Sequence, residues 1–260
     1  MENIFSLEGK VILITGAGGF LGKVFVDSIA RSGGKVVATD VALEGAQEAT
    51  EGTEGALPLV LDVTDRESIA RAFQEAVDNF GRVDVVINNA AIDPKFEPGA
   101  AVNDKVFENY PEELLGRSVD VNLLGYVRVA QEAVKRMLEQ GSGNIVNVSS
   151  IYGWSAPDQS MYPDGTQKPV DYAVTKGGVV MLTRYLSATY GRKGIRANTL
   201  SLGGVLNGHD DDFVKKYSRH TSFGRMTDSA EAADALTFLV SDASRGMTGQ
   251  NMKVDGGWRI

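Results

Sequence analysis

The chain has 260 residues, 43% of them apolar and 23% charged, enough to bury a sizeable core in one α/β domain. Its formal net charge of −8 argues against nucleic acid, whose phosphates are met by clustered lysine and arginine. No stretch approaches the roughly 20 apolar residues that span a bilayer. Cysteine is absent and the only histidines are His209 and His220, which excludes disulfides, thiolate metal centres and a histidine metal cluster. The acidic start MENIFSLEGK lacks the apolar centre of a signal peptide. The expectation is a cytoplasmic, metal-free enzyme or binding protein that acts on a small molecule, with neither nucleic acid nor membrane as partner.

In chain order, short runs rich in β-branched residues alternate with longer helical stretches, the pattern of βαβ units building a parallel sheet. The first strand, 10–15, runs straight into GAGGFLG at 16–22 and a helix over 20–31. Glycines at Gly16, Gly18, Gly19 and Gly22 permit a tight turn and close approach of a pyrophosphate to the helix N-terminus, although many strand–helix turns use glycine for packing alone. The second strand, 35–40, ends at Asp40, 18 residues after Gly22. A carboxylate there accepts hydrogen bonds from both adenosine ribose hydroxyls and repels a 2′-phosphate. No Arg or Lys lies between Thr15 and Gly22 or directly after Asp40, so the expected cofactor is NAD rather than NADP. The competing role for Asp40 is to cap the segment that follows.

The third strand, 57–61, leads to Asp62, placed to accept the adenine amino group, and to Asp65, the better candidate for capping a helix over 65–80. The fourth, 83–87, gives way to Asn88, Asn89, Ala90 and Ala91. Small residues at that edge leave room for a cofactor, or serve a turn and nothing more. A helix over 112–139 carries Asn122, either the holder of a water or an interior amide bonded to backbone. The fifth strand, 144–149, ends at Ser149 and Ser150. Ser150 can hydrogen-bond a reacting oxygen, and either serine also suits a backbone contact or a cap.

The stretch 154–170, with Pro157, Pro163, Gly165 and Pro169, reads as a loop. In the helix expected over 171–190, Tyr172 is the only one of eight tyrosines with a lysine, Lys176, four residues on. That spacing puts phenol and ammonium on one helix face. A free phenol titrates near pH 10, and a neighbouring ammonium lowers that value toward neutral proton exchange, though such a pair also arises by chance on a helix surface. A strand over 195–200, an excursion over 205–226 with the look of a lid, a helix over 229–241 and a last strand over 251–254 complete the chain. The fold expected is one doubly wound domain, with a central parallel sheet of about seven strands and helices on both faces.

Together these segments resemble the short-chain dehydrogenase/reductase family along nearly the whole chain. The matching pieces are TGAGGFLG (15–22), LDV (61–63), NNAA (88–91), NIVNVSS (144–150), YAVTK (172–176), IRAN (195–198) and VDGG (254–257). The resemblance implies an oxidoreductase that interconverts a secondary alcohol and a carbonyl. Tyr172 would be the acid/base, Lys176 its partner and ribose ligand, Ser150 the holder of the substrate oxygen and Asn122 the end of a proton relay. It also implies cofactor contacts from the glycine turn with Phe20 and Leu21, from Asp40, Asp62 and Val63, from Asn89, Ala90 and Ala91, and from Gly203 and Val205. Members are usually homotetramers or dimers that pack through the long helices.

Four departures stand out. Phe20 replaces the middle glycine of the classical subgroup, giving the spacing of the extended subgroup, which includes sugar epimerases and dehydratases with no net redox change. NNAA replaces NNAG, and Leu202 stands where members usually have proline. Between Ser150 and Tyr172 lie 21 residues, a longer stretch than typical members carry. Together with NTLSLGGVLNG (198–208) and SDASRGMTGQN (241–251), that stretch is similar to oxidoreductases of flagellin and surface-glycan modification, which points to amino sugars or sugar phosphates of the legionaminic-acid type. Lys215, Lys216, Arg219 and Arg225 in the excursion would then meet an anionic substrate group, or form a solvated face beside Asp210, Asp211 and Asp212. A nucleotide sensor without turnover is the third reading, and the full Ser150, Tyr172 and Lys176 set weighs against it.

Overall fold

A computed structural model describes residues 3–93, 106–162 and 167–260, so Pro163 and Gly165 of the expected loop lie outside the described residues. Seven parallel strands form one sheet: β1 (Val11–Thr15), β2 (Lys35–Asp40), β3 (Leu57–Val60), β4 (Val85–Asn88), β5 (Gly143–Ser150), β6 (Ile195–Leu202) and β7 (Asn251–Val254), in the order β3-β2-β1-β4-β5-β6-β7. The order reverses between β1 and β4, and such a switch point opens a crevice beyond the carboxyl ends of the strands. Every residue of β1 is buried, because helices cover both sheet faces and leave no position for a polar side chain.

On one face, α1 (Phe20–Arg31) and, late in the chain, a helix at Ser229–Val240 pack Phe25, Ile29, Leu236 and Leu239 against Ile12, Ile14 and Val146. On the other, α3 (Arg66–Phe80) and two later helices at Tyr126–Gln140 and Val170–Tyr190 bury Phe73, Val129, Ala133 and Leu186 against Leu13, Val86 and Ile145. Asp65 caps α3, its carboxylate accepting from the Glu67 amide at 2.9 Å. Between β2 and β3 lies α2 (Leu43–Ala49), which the sequence pattern does not announce: it has seven residues, a central Gly45 and no side-chain cap. Gly45 is there for contact, since its backbone faces Gly18 of the glycine turn.

The long helix expected over 112–139 is divided. It runs as α4 (Glu112–Val119), a π-helical turn (Asp120–Gly125) and α5 (Tyr126–Gln140). Two contacts account for the extra residue in that turn. The Asn122 amide reaches out to the backbone of Ile92, and Gly125 lies so close to Val63 that an added Cβ would stand 2.8 Å from its side chain. After α6 (Val170–Tyr190), the 205–226 excursion holds α7 (Asp211–Ser218), and α8 (Ser229–Val240) starts with an Asp228–Glu231 capping box.

A buried polar row ties α6 to the sheet. Asn88 donates to Asn147, Asn147 donates to Thr183 of α6, and Thr199 of β6 donates to the same hydroxyl, at 2.8, 2.8 and 2.7 Å. A third, smaller apolar cluster of Ile151, Met161, Tyr217, Met226 and Trp258 joins the segment after β5, the excursion and the chain end. Among the described residues no helix is long and apolar enough to cross a membrane.

Trp258 is fully buried and stacks on Tyr217 with ring centroids 4.6 Å apart. Truncation of such a side chain costs about 3–5 kcal/mol. Trp258→Ala should therefore raise amide hydrogen exchange across 151–161 and 211–226, while the amides of β1, β4 and β5 keep wild-type protection.

Candidate active site

The carboxyl edge of the sheet gathers sequence-predicted residues from the ends of six strands, β1 to β6. At β1 the chain turns through Gly16, at φ +67°, where a Cβ would lie 2.7 Å from the backbone of Ala90. A Cβ on Gly18 would meet Gly45 at 2.7 Å, and one on Gly22 would meet the Gly16 carbonyl at 2.2 Å. Asn89 staples this turn, donating to the carbonyls of Thr15 and Gly16 at 3.1 and 3.0 Å. No acidic residue occupies the first turn of α1, and its cap Gly19 offers no side chain. The opening amides of α1 are therefore left for an anion.

Asp40 meets the turn as well as the next segment. One carboxylate oxygen accepts from Gly18 N at 2.9 Å and the other from Ala42 N at 3.3 Å. The two readings of Asp40 are compatible, because these amides approach from the protein side while the carboxylate still lines a cavity of about 750 Å³. Asp62 uses one oxygen to hold both the amide and the hydroxyl of Thr64, at 2.8 and 2.7 Å. Gly16, Gly19, Phe20, Leu21, Gly22, Val63, Asn89, Ala90 and Ala91 share this cavity with Asp40 and Asp62, and Gly18 sits behind it.

A second cavity, of about 470 Å³, continues from Phe20, Leu21, Asn89 and Ala91 to Ser150, Tyr172, Lys176, Gly203 and Val205. Both Ser149 and Ser150 line it, but the Ser149 hydroxyl is committed to the Lys176 carbonyl, to which it donates at 2.9 Å. The Ser150 hydroxyl accepts from Tyr152 N at 3.2 Å and contacts the Tyr172 phenol, which favours the phenolate. Burial outweighs that contact and holds the Tyr172 phenol well above its ordinary value, with the Asp93 carboxylate acting in the same direction. Burial also draws the Lys176 ammonium down to about 8, against the opposite pull of Asp93. Lys176 donates to the Val148 carbonyl at 3.1 Å and reaches the Tyr126 hydroxyl at 3.5 Å. Its ammonium lies 5.7 Å from the Tyr172 ring centre.

Asn122 lines neither cavity. Its side chain accepts from Ile92 N and donates to Ile92 O, both at 2.8 Å, which is the backbone-bonded alternative. The excursion's basic residues do not meet the second cavity either: Lys216 pairs with Asp212, Arg225 pairs with Glu231, and neither Lys215 nor Arg219 lines it. Instead the excursion contributes Asn207, His209, Phe213 and Tyr217. Sequence reasoning also missed Asp93, Tyr152, Tyr162 and Lys168 of this cavity, and Arg117 and Asp120 of the first. For Lys168 a signal existed, since it falls in the unusually long stretch before Tyr172.

A glycine-lined crevice at a sheet reversal, an acidic residue closing β2 and a tyrosine–lysine pair at the far end define a nicotinamide-dependent oxidoreductase of Rossmann architecture. The family model described as enoyl-(acyl carrier protein) reductase matches residues 17–259. The chain is 31% identical to the post-translational flagellin modification protein A of Campylobacter coli, over 98% of this chain and 100% of that one. A short-chain dehydrogenase of Leptospira borgpetersenii with bound NAD+ superimposes with a TM-score of 0.88 at 30% identity, covering 100% of this chain and 97% of that one. A gluconate 5-dehydrogenase of Burkholderia cenocepacia, in complex with NADP and tartrate, gives 0.83 at 29%, with 97% and 96% covered. The protein belongs to the short-chain dehydrogenase/reductase family.

A side chain at Gly18 would press on the backbone of Gly45 and on the Asp40 carboxylate, so α2 must move away from the turn. Gly18→Ala should weaken NAD+ binding by about tenfold or more, a loss of about 1.4 kcal/mol, measured by fluorescence titration.

Proposed function

We propose that the protein is an NAD-dependent oxidoreductase that interconverts a secondary alcohol and a carbonyl, with Tyr172 as acid/base. The observation that carries this reading is the convergence of Ser150, Tyr172 and Lys176 on one cavity continuous with the glycine turn. The crevice fits a dinucleotide, because glycine positions that a Cβ would fill stand where α1 opens its free amides. When bound, the nicotinamide supplies the hydride acceptor or donor. Ser150 holds the substrate oxygen, and Tyr172 takes the hydroxyl proton in oxidation or returns it in reduction. Lys176 favours the phenolate by its charge and is placed to bind the nicotinamide ribose. Both polar side-chain atoms of Asn122 are engaged by Ile92, while Lys176 bonds the Val148 carbonyl and reaches the Tyr126 hydroxyl.

Asp40 supports NAD over NADP. Two backbone amides hold its carboxylate at the cavity wall, and no Arg or Lys lies between Thr15 and Gly22 or directly after Asp40 to answer a 2′-phosphate. The similarity to a flagellin modification protein supports a sugar-type substrate such as an amino sugar or sugar phosphate, and the polar and aromatic lining of the second cavity suits a polyhydroxylated ring. We place the protein in a homo-oligomer. Met181 and Tyr185 of α6 and Leu138 of α5 are 59%, 62% and 40% exposed on the outer faces of the two long helices, apolar surface suited to a second copy.

Tyr172→Phe should lower turnover by about a hundredfold or more while the affinity for NAD+ stays close to wild type, read by absorbance at 340 nm and by titration of the cofactor. Unchanged turnover would refute the assignment. Wild-type protein should bind NAD+ at least about tenfold more tightly than NADP+, and Asp40→Ala should erase most of that preference, measured by isothermal titration with each nucleotide.

A further inference from the structure

Tyr172 carries an unusual electrostatic load. The carboxylates of Asp93 and Asp171 and the phenols of Tyr152, Tyr162 and Tyr126 all lie near enough to interact with it. Each of these groups, when charged, opposes a phenolate. Ser150 favours it by hydrogen bonding, and Lys176 favours it by charge from 5.7 Å. Lys176 is itself shared with Val148 O and the Tyr126 hydroxyl.

A second ammonium sits closer. Lys168 Nζ stands over the face of the Tyr172 ring, 4.5 Å from its centre. Asp93 fixes it there through both carboxylate oxygens, at 2.8 and 2.7 Å, and the Lys168 side chain is only 13% exposed. The pair is thus a dipole with its largely buried cationic end on the ring and its carboxylate end, 48% exposed, toward solvent, so the cation acts on the ring with less screening than its partner. Lys168 comes from the long segment between Ser150 and Tyr172, and Asp93 from the edge that follows β4.

We propose that Lys168, held by Asp93, is a second cation on Tyr172 that stabilises its phenolate form alongside Lys176. Lys168 is a positioning residue that acts through Tyr172, and this inference rests on the reading of Tyr172 as the acid/base. The long segment then does more than enclose the substrate: it adjusts the proton affinity of the group that meets the substrate.

The test needs no substrate. A phenolate attracts an oxidised nicotinamide, so NAD+ affinity should rise with pH through a midpoint that Tyr172→Phe abolishes. The dissociation constant of NAD+ would be measured by titration between pH 6 and 10, the range into which the charge of a bound oxidised nicotinamide lowers the Tyr172 titration from its cofactor-free position. Lys168→Met should move the midpoint up by about one pH unit, since it removes the cation and leaves Asp93 unanswered. Asp93→Asn should move it down, Lys168→Arg should restore it, and the double variant should lie near wild type. A purely structural role for Lys168 would weaken binding at every pH without displacing the midpoint. A midpoint unmoved by both Lys168→Met and Asp93→Asn overturns the inference and leaves Tyr172 as acid/base standing. A wild-type profile that Tyr172→Phe does not alter defeats both.

Discussion

The close approach of α6 to the end of β5 governs the site. Ser149 donates to the carbonyl of Lys176, and Gly153 comes so near the same carbonyl that an added Cβ would lie 2.7 Å from it. One turn of α6 is thereby fixed against the strand that carries Ser150. Parallel pairing of β5 with β6 along eight residues gives that strand its rigidity, and the Asn147–Thr183 bond fixes α6 a second time, deeper in the sheet. Ser150, Tyr172 and Lys176 are separated in the chain but occupy one wall because of this contact. A helix packed against the sheet by apolar side chains alone would hold its height less strictly, since dispersion contacts have little direction.

The same packing sets the electrostatics. Lys176 is 3% exposed and has only a carbonyl and a phenol to accept its protons, so its ammonium is less favoured than in water. Tyr172 pays the opposite penalty of burial, its charged form being the phenolate. Desolvation thus favours the neutral form of both groups and moves them apart on the pH scale, the lysine down and the tyrosine up. Surface groups four residues apart on a helix, the alternative that spacing alone leaves open, would show neither shift.

Much of this was legible in the sequence. β-Branched runs mark the seven strands to within two residues at either end, because burial on both faces removes polar alternation and leaves continuous apolar segments. The glycine turn, Asp40 and the Tyr172–Lys176 spacing are local, and local patterns survive without knowledge of tertiary contacts. What stayed hidden depends on partners distant in sequence. The π-turn at Asp120–Gly125 exists because Asn122 meets Ile92 and Gly125 meets Val63. α2 leans on Gly18 through Gly45, a contact that no helical periodicity encodes. Charge counting pointed to Lys215, Lys216, Arg219 and Arg225 because they cluster. The lysine that joins Lys176 in the cavity is the isolated Lys168, held by its distant partner Asp93.

Asn122 links these non-local features. By holding both backbone groups of Ile92, it anchors the chain next to Asp93, one residue beyond. Asp93 in turn holds Lys168, and Lys168 covers Tyr172. An interior amide and a functional amide are therefore not alternatives at this position. The bond that makes Asn122 look merely structural is the one through which the π-turn sets where a carboxylate stands, and that carboxylate decides which cation the tyrosine meets. A helix continuing unbroken from α4 into α5 would present a different residue to Ile92, and the edge carrying Asp93 would lose its anchor.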